Sequence, residues 1–238
     1  MRKHLALLPL LCAFTGTSHA ANDIDSLTAL VQPQFRDLSE DLGAALSYRG
    51  VIPAEPLGIT GFDVGLEVSA TSIENTSAWD LASSGDAPDT LYLPKLHVHK
   101  GLPFNIDLGA FYTSIPSTNI TVWGGELRYA ILEGGVALPA VAVRGTFSAL
   151  NGVDQLDLDT KGLELSVSKG FAMLTPYAGI GTVRVTSTPN VAGLSEETFS
   201  LDKFYAGLNV NLGLFNIDVE GDKTGDNSSY SVKLGLRF

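Results

Sequence analysis

From Thr60 to the last residue, apolar and polar side chains alternate with a period of two, and that rhythm restricts the fold to β-structure. Phe62, Val64, Leu66, Val68 and Ala70 alternate with Asp63, Gly65, Glu67, Ser69 and Thr71. Phe104, Ile106, Leu108, Ala110 and Tyr112 alternate with Asn105, Asp107, Gly109 and Thr113, broken only by Phe111. Phe204, Ala206, Leu208, Val210 and Leu212 interleave with Lys203, Tyr205, Gly207, Asn209 and Asn211. Side chains on a strand point alternately to opposite faces, so each segment has one apolar and one polar face. Turn residues divide the chain into ten strands, near 60–76, 91–99, 103–115, 119–132, 136–149, 156–169, 173–187, 200–212, 214–223 and 228–238. Tight connections at Gly101-Leu102, Glu133-Gly134-Gly135, Gly170-Phe171 and Gly213 alternate with longer polar ones at 77–90, 150–155, 188–199 and 224–227; Pro116-Ser117-Thr118 is the short exception. Pro94 and Pro139 remove ladder donors within this register.

The preceding residues follow other rules. Residues 1–20 read as a cleavable signal peptide: Arg2 and Lys3, the apolar run Leu5 to Phe14, and Ser18-His19-Ala20 before the cleavage point. Its apolar core is shorter than the roughly 20 residues a membrane-spanning helix needs. Residues 21–58 form a second unit. Leu27, Leu30, Val31, Phe35, Leu38, Leu42 and Ala45 recur at helical spacing, with Arg36, Asp37, Glu40 and Asp41 on the other face. Pro33 suits the first turn of such a helix. Leu42, Ala44, Leu46 and Tyr48 also alternate, so 42–49 reads as helix or as strand, and the strand reading raises the count to twelve. The prolines of 51–58 give an irregular connector, and 59–238 is the β-domain.

Period two does not say which face is buried. Three features turn the apolar face outward, toward lipid. Tyr230, Val232, Leu234, Leu236 and the terminal Phe238 alternate with polar or small residues, and this ending resembles the assembly signal that closes outer-membrane proteins. The aromatics fall into two bands, Phe62, Phe104, Tyr129, Phe215 and Phe238 near the tight turns and Tyr92, Tyr112, Trp123, Phe147 and Tyr230 toward the other end. Finally, Asp63, Glu67, Lys95, Asp107, Glu126, Arg128, Arg144, Glu164, Arg184, Lys203, Asp218, Glu220, Lys233 and Arg237 share the phase opposite the apolar residues. Facing hydrocarbon, each Lys or Arg would cost about 2–4 kcal/mol at the midplane. The fold class that results is all-β, a transmembrane antiparallel up-and-down barrel preceded by a short amphipathic helix. That helix is expected to plug the mouth at the tight-turn end or to lie beneath it. The stretch Pro53-Ala-Glu-Pro-Leu-Gly-Ile-Thr-Gly-Phe-Asp-Val-Gly-Leu-Glu67 resembles porin-like proteobacterial outer-membrane β-barrel proteins. This resemblance implies a barrel exported to the outer membrane, with outer-membrane lipid and the barrel-assembly machinery as partners.

Chemistry-bearing residues are few. The only cysteine, Cys12, leaves with the signal, so no disulfide braces the mature 218 residues. They carry 13 basic and 26 acidic residues, a balance that argues against nucleic acid as a partner. His97 and His99, the only histidines after the signal, lie on one strand beside Lys95. Two imidazoles at i, i+2 fall short of a zinc set of three or four ligands. A barrel hydrolase needs a base at the outer rim, and these histidines fall toward the tight turns. Gly179-Ile-Gly181 lacks the lysine and helix of a phosphate loop. No catalytic, cofactor or metal site is therefore expected. The lumen-lining candidates are Lys95, His97, His99, Glu126, Arg128, Arg144 and Arg184, and the assembly signal is Tyr230, Val232, Leu234, Leu236 and Phe238. The expected function is a non-enzymatic narrow porin-like or structural barrel, with small solutes as candidate cargo. The alternatives are a barrel hydrolase and a surface-binding barrel that uses loops 77–90 and 188–199.

Overall fold

The computed structural model describes residues 26–83, 88–115 and 120–238. The signal-peptide reading of 1–20 and the turn read at 116–118 lie outside the described residues. Ten strands, β1 (Phe62–Ser72), β2 (Thr90–Leu102), β3 (Ile106–Ser114), β4 (Thr121–Glu133), β5 (Ala140–Asn151), β6 (Leu156–Ser168), β7 (Leu174–Pro189), β8 (Glu197–Leu212), β9 (Phe215–Thr224) and β10 (Asn227–Arg237), form a closed antiparallel barrel. Each strand pairs with its sequence neighbours, and β1 pairs with β10 to seal the wall, with Leu66 opposite Leu234. Two backbone hydrogen bonds between Phe62 and Phe238 lock the end of that seam, and their rings stack at 5.6 Å.

Among the described residues two α-helices accompany the barrel, α1 (Gln32–Leu46) and α2 (Thr76–Ala82). Pro33 sits in the first turn of α1, and Gln34 accepts a hydrogen bond from the Val31 amide just before it. The helix runs on to Leu46, so 42–49 adds no strand and the wall has ten. Helix α2 occupies part of the stretch read as strand end and polar loop. Trp79 and Ala82 bury against the rest of the protein. The β9–β10 connection, expected to be one of the longer ones, spans only Gly225 and Asp226. Pro139 precedes β5 and takes no ladder position.

The outward face carries the apolar residues of the alternation. Leu66 is 67% exposed, and Leu108, Leu127, Leu163, Ile180, Val232 and Leu234 are exposed with it. Tyr92, Tyr112, Trp123, Phe147 and Tyr230 project outward toward the ends of their strands near the longer connections, while Phe104, Tyr129, Phe215 and Phe238 project at the tight-turn end. No described helix is long and apolar enough to cross a membrane; strands carry the outward apolar belt instead.

The chemistry of the alternation inverts along three strands. On the lower part of β6, Glu164 and Ser166 point in while Leu163, Leu165 and Val167 point out. Nearer the longer connections, Leu156 and Leu158 point in and Asp157, Asp159 and Lys161 point out. Strand β7 does the same, with Val183 and Val185 buried, and on β8 Phe199 and Leu201 are buried while Ser200 and Asp202 are exposed. Pleat and register do not slip. The strands simply leave the zone where the outside is apolar and enter one with an apolar inside. Arg184 therefore faces outward, correcting its assignment to the lumen. It shares the outward phase of Ile180, and its flanking valines fill the interior.

Candidate functional site

What fills that interior is the segment that precedes β1. Helix α1 lies inside the barrel at the end carrying the longer connections, not at the tight-turn mouth, because its apolar stripe finds an apolar lining only there. Phe35, Leu38, Leu42 and Leu46 share one buried cluster with Leu158, Val183, Val185, Phe199 and Leu201. Contact with β7 is close enough that a Cβ added to Gly43 would lie 2.5 Å from Val185 Cγ2. Ser39 donates to Phe35 O at 2.7 Å and shares a 2.8 Å hydroxyl contact with Ser187 on the wall.

From there the chain descends the axis as an extended strap, held at successive levels. At the loop end, the Ser26 amide donates to Ala82 O at 3.3 Å and the Leu27 amide to Gln155 Oε1 at 3.1 Å. Gln32 Nε2 donates to Ser195 O at 3.0 Å, and Ser148 Oγ donates to Leu46 O at 2.7 Å. Midway, Lys203 Nζ donates to Tyr48 O at 2.6 Å, and Arg49 Nε lies 2.5 Å from Asp222 Oδ1. Near the tight turns, Arg128 Nη1 donates to Pro53 O at 2.7 Å, the Ala54 amide to Ser168 Oγ at 3.1 Å and the Leu57 amide to Asp107 Oδ1 at 3.1 Å. The strap then leaves past β2, where a Cβ on Gly101 would sit 2.0 Å from Gly58 O.

Around the strap the polar faces interlock as a chain of ion pairs. Asp63 receives Lys233 Nζ at 3.0 Å, Arg237 Nη2 at 2.8 Å and the Asn216 amide at 2.6 Å. Glu67 meets Lys95 at 3.3 Å, and its second oxygen faces His97 Nε2. Arg128 binds Asp107 at 2.8 Å, Arg144 binds Glu126 at 3.1 Å and Glu164 at 3.4 Å, and Lys203 binds Glu164 at 2.8 Å. Tyr48 of the strap reaches His99 Nε2 at 3.3 Å, and Phe111 stacks on His97 at 5.8 Å. Phe111 is thus the residue that breaks the alternation of β3 because it turns inward; it is 3% exposed.

Lys95, His97, His99, Glu126, Arg128 and Arg144 all point to the axis and are buried, and Arg184 alone of the lumen candidates lies outside. Sequence reasoning missed the strap's own contributions, Tyr48 and Arg49, and the buried Asp41. Asp41 accepts from Trp79 Nε1 at 3.0 Å and from Asn227 Nδ2 at 2.7 Å, tying α1 to α2 and to the wall. A charged residue three positions past the apolar helical stripe, as Arg49 is, is the signal that was available. No group of three or more metal-type ligands stands together among the described residues. An apolar cavity of about 60 Å³ lies between α1 and the wall, lined by Leu42, Leu46, Trp79, Leu93, Ile120 and Leu150 among others.

No protein-family model and no curated protein matches the chain. Among solved structures it is similar to the N-terminal β-barrel domain of Pseudomonas aeruginosa OprF, at 12% identity over 74% of this chain and 97% of that one, TM-score 0.37. It is similar to Neisserial surface protein A, at 10% identity over 74% and 94%, TM-score 0.32. It is likewise similar to the KdgM porin, solved in complex with disordered oligogalacturonate, at 11% identity over 75% and 99%, TM-score 0.38.

Proposed function

We propose that the chain is an outer-membrane β-barrel whose lumen is occupied by its own N-terminal strap, so that its role is structural or at the cell surface rather than that of an open porin. The membrane assignment is supported by the outward apolar belt, since monomeric soluble proteins rarely expose contiguous apolar patches beyond a few hundred Å². Its two bands of aromatics suit the two interfaces of a bilayer, and the tight turns then face the periplasm. Export through an N-terminal signal and handling of the Tyr230–Phe238 ending by the assembly machinery complete this reading.

The observation that carries the closed-lumen reading is the burial of the axis. Arg49, His97, His99, Arg128 and Lys233 are each 0% exposed and are tied to strap or wall. Ten strands leave a narrow bore, because eight are already filled by side chains. A helix and an extended strap occupy what remains. The same burial supports a non-enzymatic role, because neither histidine is accessible to a substrate arriving at the rim.

Purified full-length protein in a planar bilayer is expected to give no stable conductance steps, whereas deletion of residues 26–57 is expected to produce them. Porin-like steps from the intact protein that change with Arg144→Ala would defeat the closed-lumen reading. Failure of the unboiled protein to migrate as a heat-modifiable band would defeat the membrane-barrel reading itself.

A further inference from the structure

The strap has a direction, and that direction assigns a side to the N-terminus. Ser26 is bonded to Ala82 in the β1–β2 connection and Leu27 to Gln155 in the β5–β6 connection, both at the loop end. Leu57 is bonded to Asp107 at the start of β3, and Gly58 packs on Gly101 at the end of β2, both at the tight-turn end. Between them the chain passes through the lumen once.

With the proposed signal cleaved after Ala20, five residues, 21–25, precede Ser26. Fully extended they reach at most about 18 Å, at roughly 3.3–3.6 Å per residue. The 15 residues of α1 alone cover about 22 Å at 1.5 Å per residue, and the extended stretch 47–57 lies below them. Five residues cannot return to the tight-turn end, either through the sealed interior or outside the wall.

We infer that the mature chain is threaded through its own barrel and presents its N-terminus at the cell surface, beside α2 and the longer loops, while Gly58–Gly61 lie on the periplasmic side. This rests on the membrane reading, the sidedness and the signal cleavage proposed above. The surface then displays a free α-amino end that no loop of an up-and-down barrel supplies.

The absence of cysteine after residue 20 makes the test direct. Single-cysteine variants Asn22→Cys, Ala192→Cys and Val136→Cys are expressed in full-length protein, and each is checked for the heat-modifiable band. Intact cells are treated with a polyethylene-glycol maleimide too large to pass porins, and labelling is read as a mobility shift. The inference predicts that Asn22→Cys shifts as completely as Ala192→Cys in the β7–β8 loop, while Val136→Cys in the β4–β5 turn shifts only after the outer membrane is permeabilised. If Ala192→Cys shifts in intact cells and Asn22→Cys needs permeabilisation, threading to the surface is overturned while the barrel reading stands. If Val136→Cys shifts in intact cells and Ala192→Cys does not, the sidedness falls and this inference falls with it.

Discussion

Arg49 of the strap and Asp222 of β9 form a salt bridge at 2.5 Å, and neither residue is open to solvent. The guanidinium also donates to Ala44 O and Ala45 O, both at 2.9 Å, and to Ser229 Oγ at 2.6 Å. One side chain therefore caps the C-terminal carbonyls of α1 and fastens the strap to two strands. Burying such a pair costs desolvation, so its presence does not by itself imply net stability. Removing one partner is another matter.

Arg49→Met is expected to strand Asp222 inside the barrel and lower stability by about 3–5 kcal/mol. Urea unfolding of the micelle-refolded protein, followed by its heat-modifiable band, measures this. The double variant R49M/D222N removes the stranded charge and is expected to recover much of the loss. Equal stability of the single and double variants would contradict the pairing.

Two arginine experiments separate inside from outside. Leu66→Arg places a charge on the outward belt near the middle of β1 and is expected to cost about 2–4 kcal/mol. Arg184→Ala, on the water-facing outer surface of β7, is expected to stay within about 0.5 kcal/mol of the parent. A large effect from Arg184→Ala would return that residue to the lumen.

Gly43 opens the last turn of α1, and within a helix alanine ordinarily adds about 0.8–1 kcal/mol over glycine. Here the added methyl meets Val185, so Gly43→Ala is expected to destabilise. In a Val185→Ala background the sign is expected to reverse, because the methyl then fills vacated space. Unfolding midpoints of the four proteins test this reversal, and a stabilising Gly43→Ala in the parent would refute the helix–wall contact.

Asp41→Ala removes the acceptor for the Trp79 indole, the Asn75 amide and Asn227. Each donor left buried and unpaired costs about 1–3 kcal/mol. The variant is expected to shift tryptophan emission to the red and to expose the β1–β2 connection to added protease on intact cells, with the ten-stranded wall unchanged.

The wall was legible because local chemistry repeats. Strand count, nearest-neighbour order and the outward belt all follow from alternation and turn residues, as does the inward phase of Lys95, Glu126, Arg128 and Arg144. Arg184 escaped the same reasoning because phase was assumed to carry one meaning along the whole strand. Val183 and Val185 were in the sequence, but their burial depends on a helix more than 130 residues away.

By itself, then, the sequence determined a period-two chain with a lipid-compatible face and an N-terminal amphipathic helix. Both are properties of successive side chains and need no distant partner. Only the tertiary structure decided where that helix goes, at which end it sits and which charges it meets. Those outcomes depend on a cavity that exists only after β1 has paired with β10, and on apolar linings contributed by strands far apart in the chain. Tyr48 and Arg49 acquire their roles there, because a charge just past a helix end has no assigned partner until the barrel wall supplies one.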